Sequence, residues 1–329
     1  MADDSALMEI VTADIGGTHA RFAIASIQRG QIMSVSEPVL LQTGAFASFE
    51  DAWKAFEHRV GRRLPSDLSL GVAAPVANGE FSLTNSHWQF DRAQIASQLE
   101  LSSVLMINDL AAVAHAISAV DDEQFAHVSG PDEPLPKTGA ITIVGPGTGL
   151  GVALLVREGT QGYRVMETEG GHMDFASLDP VEDKLLAALR EKFGRVSVER
   201  LVSGPGLLNI YEVLAKLEGH VELIRDESAL WSKALDRTDQ LAVLALDRFC
   251  MCLGAVAGDL ALGHGASGVV IAGGIGKRIG ERLGSSGFAK RFVAKGRFER
   301  RLSAIPVKLI TCPEPGLLGA AVAFARKHA

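Results

Sequence analysis

Short apolar runs of strand length, broken by glycine-rich turns, alternate along this chain with stretches of helical period. The first run, Glu9 to Ala13, leads into Asp14-Ile-Gly-Gly-Thr18, and Ala20 to Ile27 follows with Phe22, Ile24 and Ser26 on one face and Arg21, Ala23, Ala25 and Ile27 on the other. That period of two predicts a partly buried strand. A dinucleotide-binding turn or a P-loop would open a helix at this point. The turn at Gly16 therefore joins two strands in a hairpin, and its backbone N–H groups can face a phosphate as a small anion-binding concavity. The device recurs as Ala140 to Val144, then Gly145-Pro-Gly-Thr-Gly-Leu-Gly151, then Val152 to Val156. Gly16 and Gly147 lie about 130 residues apart, close to one domain's worth of chain. Two lobes, each opening with a phosphate hairpin, is the simplest reading. The copies are not equivalent, because Gly145 stands where the first has Asp14.

Between the hairpins, Ser48 with Asp51 resembles a capping box, and Phe49, Ala52, Trp53, Phe56 and Val60 follow at helical spacing. Leu68 to Ala73 and Ser103 to Ile107 read as buried strands. At Asn108 and Asp109 the pattern changes to a helix with Leu110, Val113, Ala114 and Ile117 on one stripe. In open α/β sheets the carboxyl end of a strand is where ligands usually sit. Farther on, Asp179 and Pro180 start a helix through Phe193, and a mostly helical region runs to about Gly265. An apolar strand, Gly268 to Ala272, then ends in Gly273-Gly-Ile-Gly276, and a helix from about Gly316 to Lys327 closes the chain.

The length of 329 residues favours two lobes, with one lobe carrying insertions as the second choice. Hydrophobic residues at 47% and charged residues at 22% exclude a disordered or collagenous chain. A net charge of −7 gives no field that would draw a nucleic-acid duplex or an anionic membrane, so neither is expected as a partner. Cys250, Cys252 and Cys312 cannot all pair, and they read as reduced thiols in a cytoplasmic protein. The start, MADDSALMEIV, is acidic where a secretory signal is basic. The apolar stretch from about Leu241 to Leu262 carries Asp247, Arg248 and Asp259, which on this reading disqualifies it as a membrane span.

Asp14-Ile-Gly-Gly-Thr18, Gly145-Pro-Gly-Thr-Gly149 and Val270-Ile-Ala-Gly-Gly274 resemble the phosphate-1, phosphate-2 and adenosine motifs of the actin, hexokinase and heat-shock ATPase superfamily. Asn85 in LTNSHW, Asn108-Asp109 in INDLAAVAHA, Glu169 to His172 in ETEGGHMDFA and Glu199 in SVERLVSGPG narrow the match to the bacterial glucokinase family along nearly the whole chain. No single motif is that specific, but seven in order at compatible spacings are. ROK sugar kinases usually carry a cysteine-rich zinc site that is not matched here, so the resemblance is to the zinc-free glucokinases. It implies an α/β fold of the two-lobed actin-like ATPase (ribonuclease H-like) type with a deep cleft. The small domain would be 1–115 plus 313–329, and the large one 116–312. The implied activity is that of a glucokinase, transferring phosphate from ATP with Mg²⁺ to the 6-hydroxyl of glucose at the first step of glycolysis, as a cytoplasmic homodimer.

Phosphoryl transfer to a sugar needs two substrates in line, neutralised phosphate charge and little water. The resemblance makes Asp109 the residue that accepts the 6-hydroxyl proton; the plainer role is capping the helix begun by Asn108, and the two are compatible. A carboxylate is a weak base for an alcohol, so it helps late, and positioning is much of its contribution. Asp14 is suited to orient the waters of Mg²⁺, which keeps most of its hydration, or else to close an Asx-type turn. Ala13, Ile15, Gly16, Gly17 and Thr18, with Gly147, Thr148 and Gly149, belong to the nucleotide-phosphate set, and Gly273 and Gly274 to the adenosine set. Turn glycines can also be purely conformational, and a plain helix start would explain Gly273 and Gly274. Asn85, Asn108, Asp109, Glu169, His172 and Glu199 match the family's sugar ligands, although His172 taken alone would read as a structural histidine. His87, His115 and the two neighbouring cysteines take no functional role.

Three other functions compete with this one, and the sequence argues against two of them. A kinase for another hexose or one using polyphosphate is the near alternative, since phosphate turns do not name the donor. A sugar-responsive regulator would carry a helix-turn-helix ahead of the first turn, and only about a dozen residues precede Asp14. An NAD-dependent dehydrogenase fails because strands follow both glycine turns.

Overall fold

The computed structural model describes residues 7–73, 80–82, 88–220 and 223–328. The chain divides into two compact units, Met1–Val120 with Cys312–Ala329, and Asp121–Thr311.

In the first unit, β1 (Met8–Ile15) and β2 (His19–Gln28) form the expected hairpin, with Asp14 opposite Arg21 and Ile15 opposite Ala20. Strands β3 (Gln31–Val35) and β4 (Val39–Gln42) extend it beyond β2. Helix α1 (Phe49–Val60) starts where Ser48 Oγ accepts the Asp51 N–H and stops at Gly61 in the left-handed region. It buries Phe49, Ala52, Trp53 and Phe56, the first and last of these against Phe22. On the other side of β1, β5 (Asp67–Val72) runs parallel to it. A small ribbon of β6 (Glu80–Ser82) and β7 (Gln89–Asp91) and helix α2 (Arg92–Gln98) lead to β8 (Ser103–Asn108), parallel to β5. The sheet order is β3-β2-β1-β5-β8.

Helix α3 (Asp109–Ala119) was expected to bury one stripe; instead Leu110, Ala111, Ala112, Val113, Ala114, Ala116 and Ile117 are all buried. Its small residues let backbones close in from two sides. A Cβ at Gly71 of β5 would lie 3.3 Å from the Ala112 Cβ, and one at Gly319 of the C-terminal helix (Pro315–Lys327) would collide with the Ala112 carbonyl. Buried hydroxyls tie that last helix to the sheet, Thr12 Oγ1 donating to the Leu317 carbonyl at 2.7 Å and Ser69 Oγ to that of Ala320 at 2.6 Å. Each bond satisfies a polar group that burial would otherwise leave costly.

The second unit repeats the plan. After β9 (Phe125–Ser129), β10 (Thr138–Pro146) and β11 (Leu150–Glu158) form the second hairpin, extended by β12 (Tyr163–Thr168). Helices α4 (Pro180–Phe193), α5 (Gly204–Leu217), α6 (Glu227–Leu235) and α7 (Gln240–Gly263) follow. Then come β13 (Gly268–Ile271), the short helices α8 (Gly273–Arg278), α9 (Gly280–Ser285), α10 (Phe288–Val293) and α11 (Glu299–Ser303), and β14 (Val307–Ile310). In the order β12-β11-β10-β13-β14-β9, an antiparallel meander of β11 and β12 lies on one side of β10 and the parallel strands β13 and β14 on the other, as β2 and β3 and then β5 and β8 lie about β1, while antiparallel β9 is added at the far edge.

Helix α7 corrects one expectation. By length and composition it passes as a membrane span, with an 18-residue window of mean hydropathy 1.8, so its charges alone do not disqualify it. Its burial does: 72% of that window is inside the protein. Cys250 and Cys252 lie on α7 as free, buried thiols, and burial pushes Cys250 up to about 12 and Cys252 well above its ordinary value. Such thiols are inert.

Candidate active site

The first turn is held by its own backbone. The Gly16 N–H donates to the His19 carbonyl at 2.9 Å, while the carbonyls of Gly16 and Thr18 accept from Thr43 Oγ1 and N–H at 3.1 and 3.0 Å. The Gly16 amide is thus engaged within its own turn. The amides of Gly17 and Thr18 have no partner among the described residues. The second turn is similar: the Gly147 N–H closes onto the Gly149 carbonyl at 2.8 Å, and the amides of Thr148 and Gly149 stay unpaired among the described residues. A Cβ on Gly147 would meet nothing within 4 Å, and one on Gly16 only the His19 carbonyl at an ordinary 3.5 Å. The protein itself does not require glycine there, which fits turns kept bare for an approaching ligand.

Asp14 stands two residues before the first turn. Arg21 reaches both Asp14, at 3.7 Å, and Glu314, at 3.0 Å. Burial pushes the Asp14 carboxyl up to about 6, Arg21 pulls it down, and Glu314 adds to the rise. Gly316 makes room for it, since a Cβ there would sit 2.9 Å from the Asp14 Cγ. A partly buried carboxylate beside free amides suits a hydrated divalent cation accompanying a polyphosphate. Because the folded pKa is raised, ionisation costs stability that is lost as pH rises from about 4 through 6. Asp14→Asn is expected to raise the melting temperature of the ligand-free protein by about 1–3 °C at pH 7.5 and not at pH 4. Calorimetry at the two pH values checks it, and Arg21 keeps Glu314 in the variant.

Adjacent parallel strands align Ile15, Val72 and Asn108 in one row. Asn108 thus lies two strand spacings, about 9–10 Å, from the end of β1, on the edge that carries the first turn. Asn108 Oδ1 caps α3, accepting from Leu110 N–H at 2.9 Å and Ala111 N–H at 3.2 Å. Asp109 Oδ1 also accepts from Leu110, at 2.8 Å. The capping role is therefore real for both residues.

In the second unit, Glu169 and His172 flank a single 3-10 turn, 4.0 Å apart and both exposed. The glycines between them are buried: a Cβ on Gly170 would press on the Val152 side chain and one on Gly171 would collide with the Leu150 carbonyl. The Val198 N–H donates to the Met173 carbonyl at 2.8 Å, which brings the Glu199 loop beside this turn. Glu199 Oε2 accepts the Leu150 N–H at 2.9 Å, directly after the second phosphate turn.

Ala13 and Ile15 are fully buried core residues, so their side chains take no part in binding. Gly273 has φ +75° and crowds the Pro146 carbonyl, reasons for glycine that need no nucleotide, whereas a Cβ on Gly274 would meet open space. Asn85 lies outside the described residues. Sequence reasoning missed Arg21, Glu314 and Thr43 as supports of the first turn. Only Arg21 left a signal, since hairpin register places it opposite Asp14.

The structure aligns with that of glucokinase from an Antarctic psychrotroph over 97% of this chain and 99% of that one, with a TM-score of 0.82 at 33% identity. A ROK family glucokinase from Streptomyces griseus, solved in complex with glucose and AMPPNP, aligns over 98% and 100% of the two chains with a TM-score of 0.61. At 20% identity that likeness shows the fold alone. The architecture is that of the actin-like ATPases, in the branch occupied by sugar kinases. A sequence model of the family described as Glucokinase matches residues 11–327. The glucokinase of Zymomonas mobilis subsp. mobilis is 54% identical over 322 residues, 98% of this chain and 99% of that one. The chain belongs to the glucokinase family.

Proposed function

We infer that the chain is an ATP-dependent glucokinase, transferring the terminal phosphoryl group of ATP to the 6-hydroxyl of D-glucose and giving glucose 6-phosphate and ADP. Family membership and the two bare hairpin turns support this reading, and the amides of Gly17, Thr18, Thr148 and Gly149, unpaired among the described residues, carry it. Amides fixed by their own turn cost little reorganisation when they meet developing phosphate charge. Asp109 orients the 6-hydroxyl and takes its proton late in transfer. Asn85, Asn108, Glu169, His172 and Glu199 receive the remaining sugar hydroxyls, and Gly274 leaves room for adenosine. Asp14 would hold Mg²⁺ through water, and Mg²⁺ supplies charge neutralisation of the polyphosphate. The family resemblance also supports a cytoplasmic homodimer, which light scattering of the purified protein tests for assembly.

A coupled assay with ATP, Mg²⁺ and a hexose panel tests the activity. Turnover is expected with glucose, and an epimer that leaves one acceptor unmet once the bound sugar has excluded water from it should lose about ten- to hundredfold in kcat/KM, from roughly 1–3 kcal/mol per unmet group. Binding of glucose without turnover would instead favour a sensor. Turnover with polyphosphate and not ATP would reassign the donor.

A further inference from the structure

We propose that Glu199 is a positioning residue that couples hexose binding to the second phosphate turn through the Leu150 amide. The coupling rests on the reading that Glu199 contacts the sugar.

The segment from Glu199 to Gly204 grips the turn at both ends. The Glu199 carboxylate takes the Leu150 N–H at 2.9 Å, and the Gly204 N–H donates to the Gly147 carbonyl at 2.8 Å. Ser203 fixes the segment itself, its hydroxyl donating to the Glu199 carbonyl at 2.7 Å and accepting the Gly206 N–H at 3.1 Å as the cap of α5. A Cβ on Gly149 would collide with Glu199 Oε2, so carboxylate and turn are already in close contact. On the opposite side of Leu150, its carbonyl lies against Gly171, between Glu169 and His172. The residue that leaves the phosphate turn is thus bracketed by two of the sugar motifs.

A carboxylate has acceptor capacity on both oxygens. Oε2 is committed to Leu150, so a sugar hydroxyl that engages Oε1 fixes the carboxylate plane and, through it, the amides of Thr148 and Gly149. Binding of glucose then prepares the turn for nucleotide, and by linkage nucleotide prepares Glu199 for glucose by the same factor.

The test is calorimetric titration of Mg²⁺–AMPPNP, with and without saturating glucose, into the wild type, Glu199→Gln and Glu199→Ala. The transverse-relaxation-optimised spectrum of ¹⁵N-leucine-labelled protein follows the Leu150 amide. Glucose is expected to tighten AMPPNP by about fivefold or more in the wild type and to shift the Leu150 resonance before any nucleotide is added. In Glu199→Ala the tightening disappears and glucose-free AMPPNP binding weakens. Glu199→Gln, whose amide oxygen still accepts the Leu150 N–H, keeps glucose-free AMPPNP affinity within about twofold. Weakened glucose binding with unaltered AMPPNP affinity and tightening in Glu199→Ala overturns the coupling and leaves the sugar contact standing. Unaltered glucose binding overturns the sugar contact itself. Should the alanine variant not fold, a Leu150 resonance unmoved by saturating glucose in the wild type overturns the proposal.

Discussion

Asp109→Ala is expected to lower kcat for glucose phosphorylation by about 10²–10⁴-fold, the range for losing a positioned proton acceptor. The alanine variant confounds two losses, because Asp109 Oδ1 also accepts the Leu110 N–H at 2.8 Å. Asp109→Asn separates them. Its amide oxygen keeps the Leu110 bond, and Asn108 remains the cap with bonds to Leu110 and Ala111. The asparagine variant should therefore melt within about 2 °C of the wild type while losing most of the same kcat. Steady-state kinetics beside a melting curve checks this. An asparagine variant with wild-type kcat would reduce Asp109 to a helix cap.

The second large effect is on stability. Glu182 is fully buried at the start of α4, where its carboxylate meets Arg248 of α7 at 3.1 Å and Arg291 of α10, and accepts the Leu178 N–H at 2.8 Å. Asp179, the cap of α4, shares both arginines. Glu182→Leu removes one carboxylate and leaves two guanidinium groups largely buried with a single acid between them. Breaking such a pair costs about 3–5 kcal/mol, which in a unit of this size lowers the melting temperature by roughly 6–20 °C. Replacing Glu182, Arg248 and Arg291 together by apolar residues of similar volume should recover much of the loss, since the desolvation penalty is removed along with the attraction. Scanning calorimetry of both variants decides it. A single variant as stable as the wild type would mean that the charges contribute nothing.

Local features of this protein were legible where local chemistry settles them. A strand rather than a helix after each glycine turn identifies both hairpins, and the duplication they imply appears as a shared five-strand order, β3-β2-β1-β5-β8 in one sheet and β12-β11-β10-β13-β14 in the other. Asn108 and Asp179 were recognisable as helix starts because an Asx side chain ahead of an apolar stripe has few other uses, and both cap as expected. What resisted reading depends on distant parts of the chain. Glu314 reaches the Asp14–Arg21 pair from the far end of the sequence, through a left-handed residue that no pattern announces. Glu199 bonds to an amide 49 positions earlier. Glu182, an acid in the first turn of a helix, has the sequence signature of an exposed dipole partner and is buried because arginines arrive from two other helices. That the Gly16 and Gly147 amides close their own turns is likewise visible only in the geometry.

The proposed transfer depends on what the Asp109 carboxylate faces when sugar and nucleotide are bound. A crystal structure of Asp109→Asn with glucose and Mg²⁺–AMPPNP tests this most directly. The 6-hydroxyl is predicted to lie within about 3 Å of the side chain of residue 109. A glucose bound with a different hydroxyl toward that side chain, or bound away from it, would contradict the mechanism.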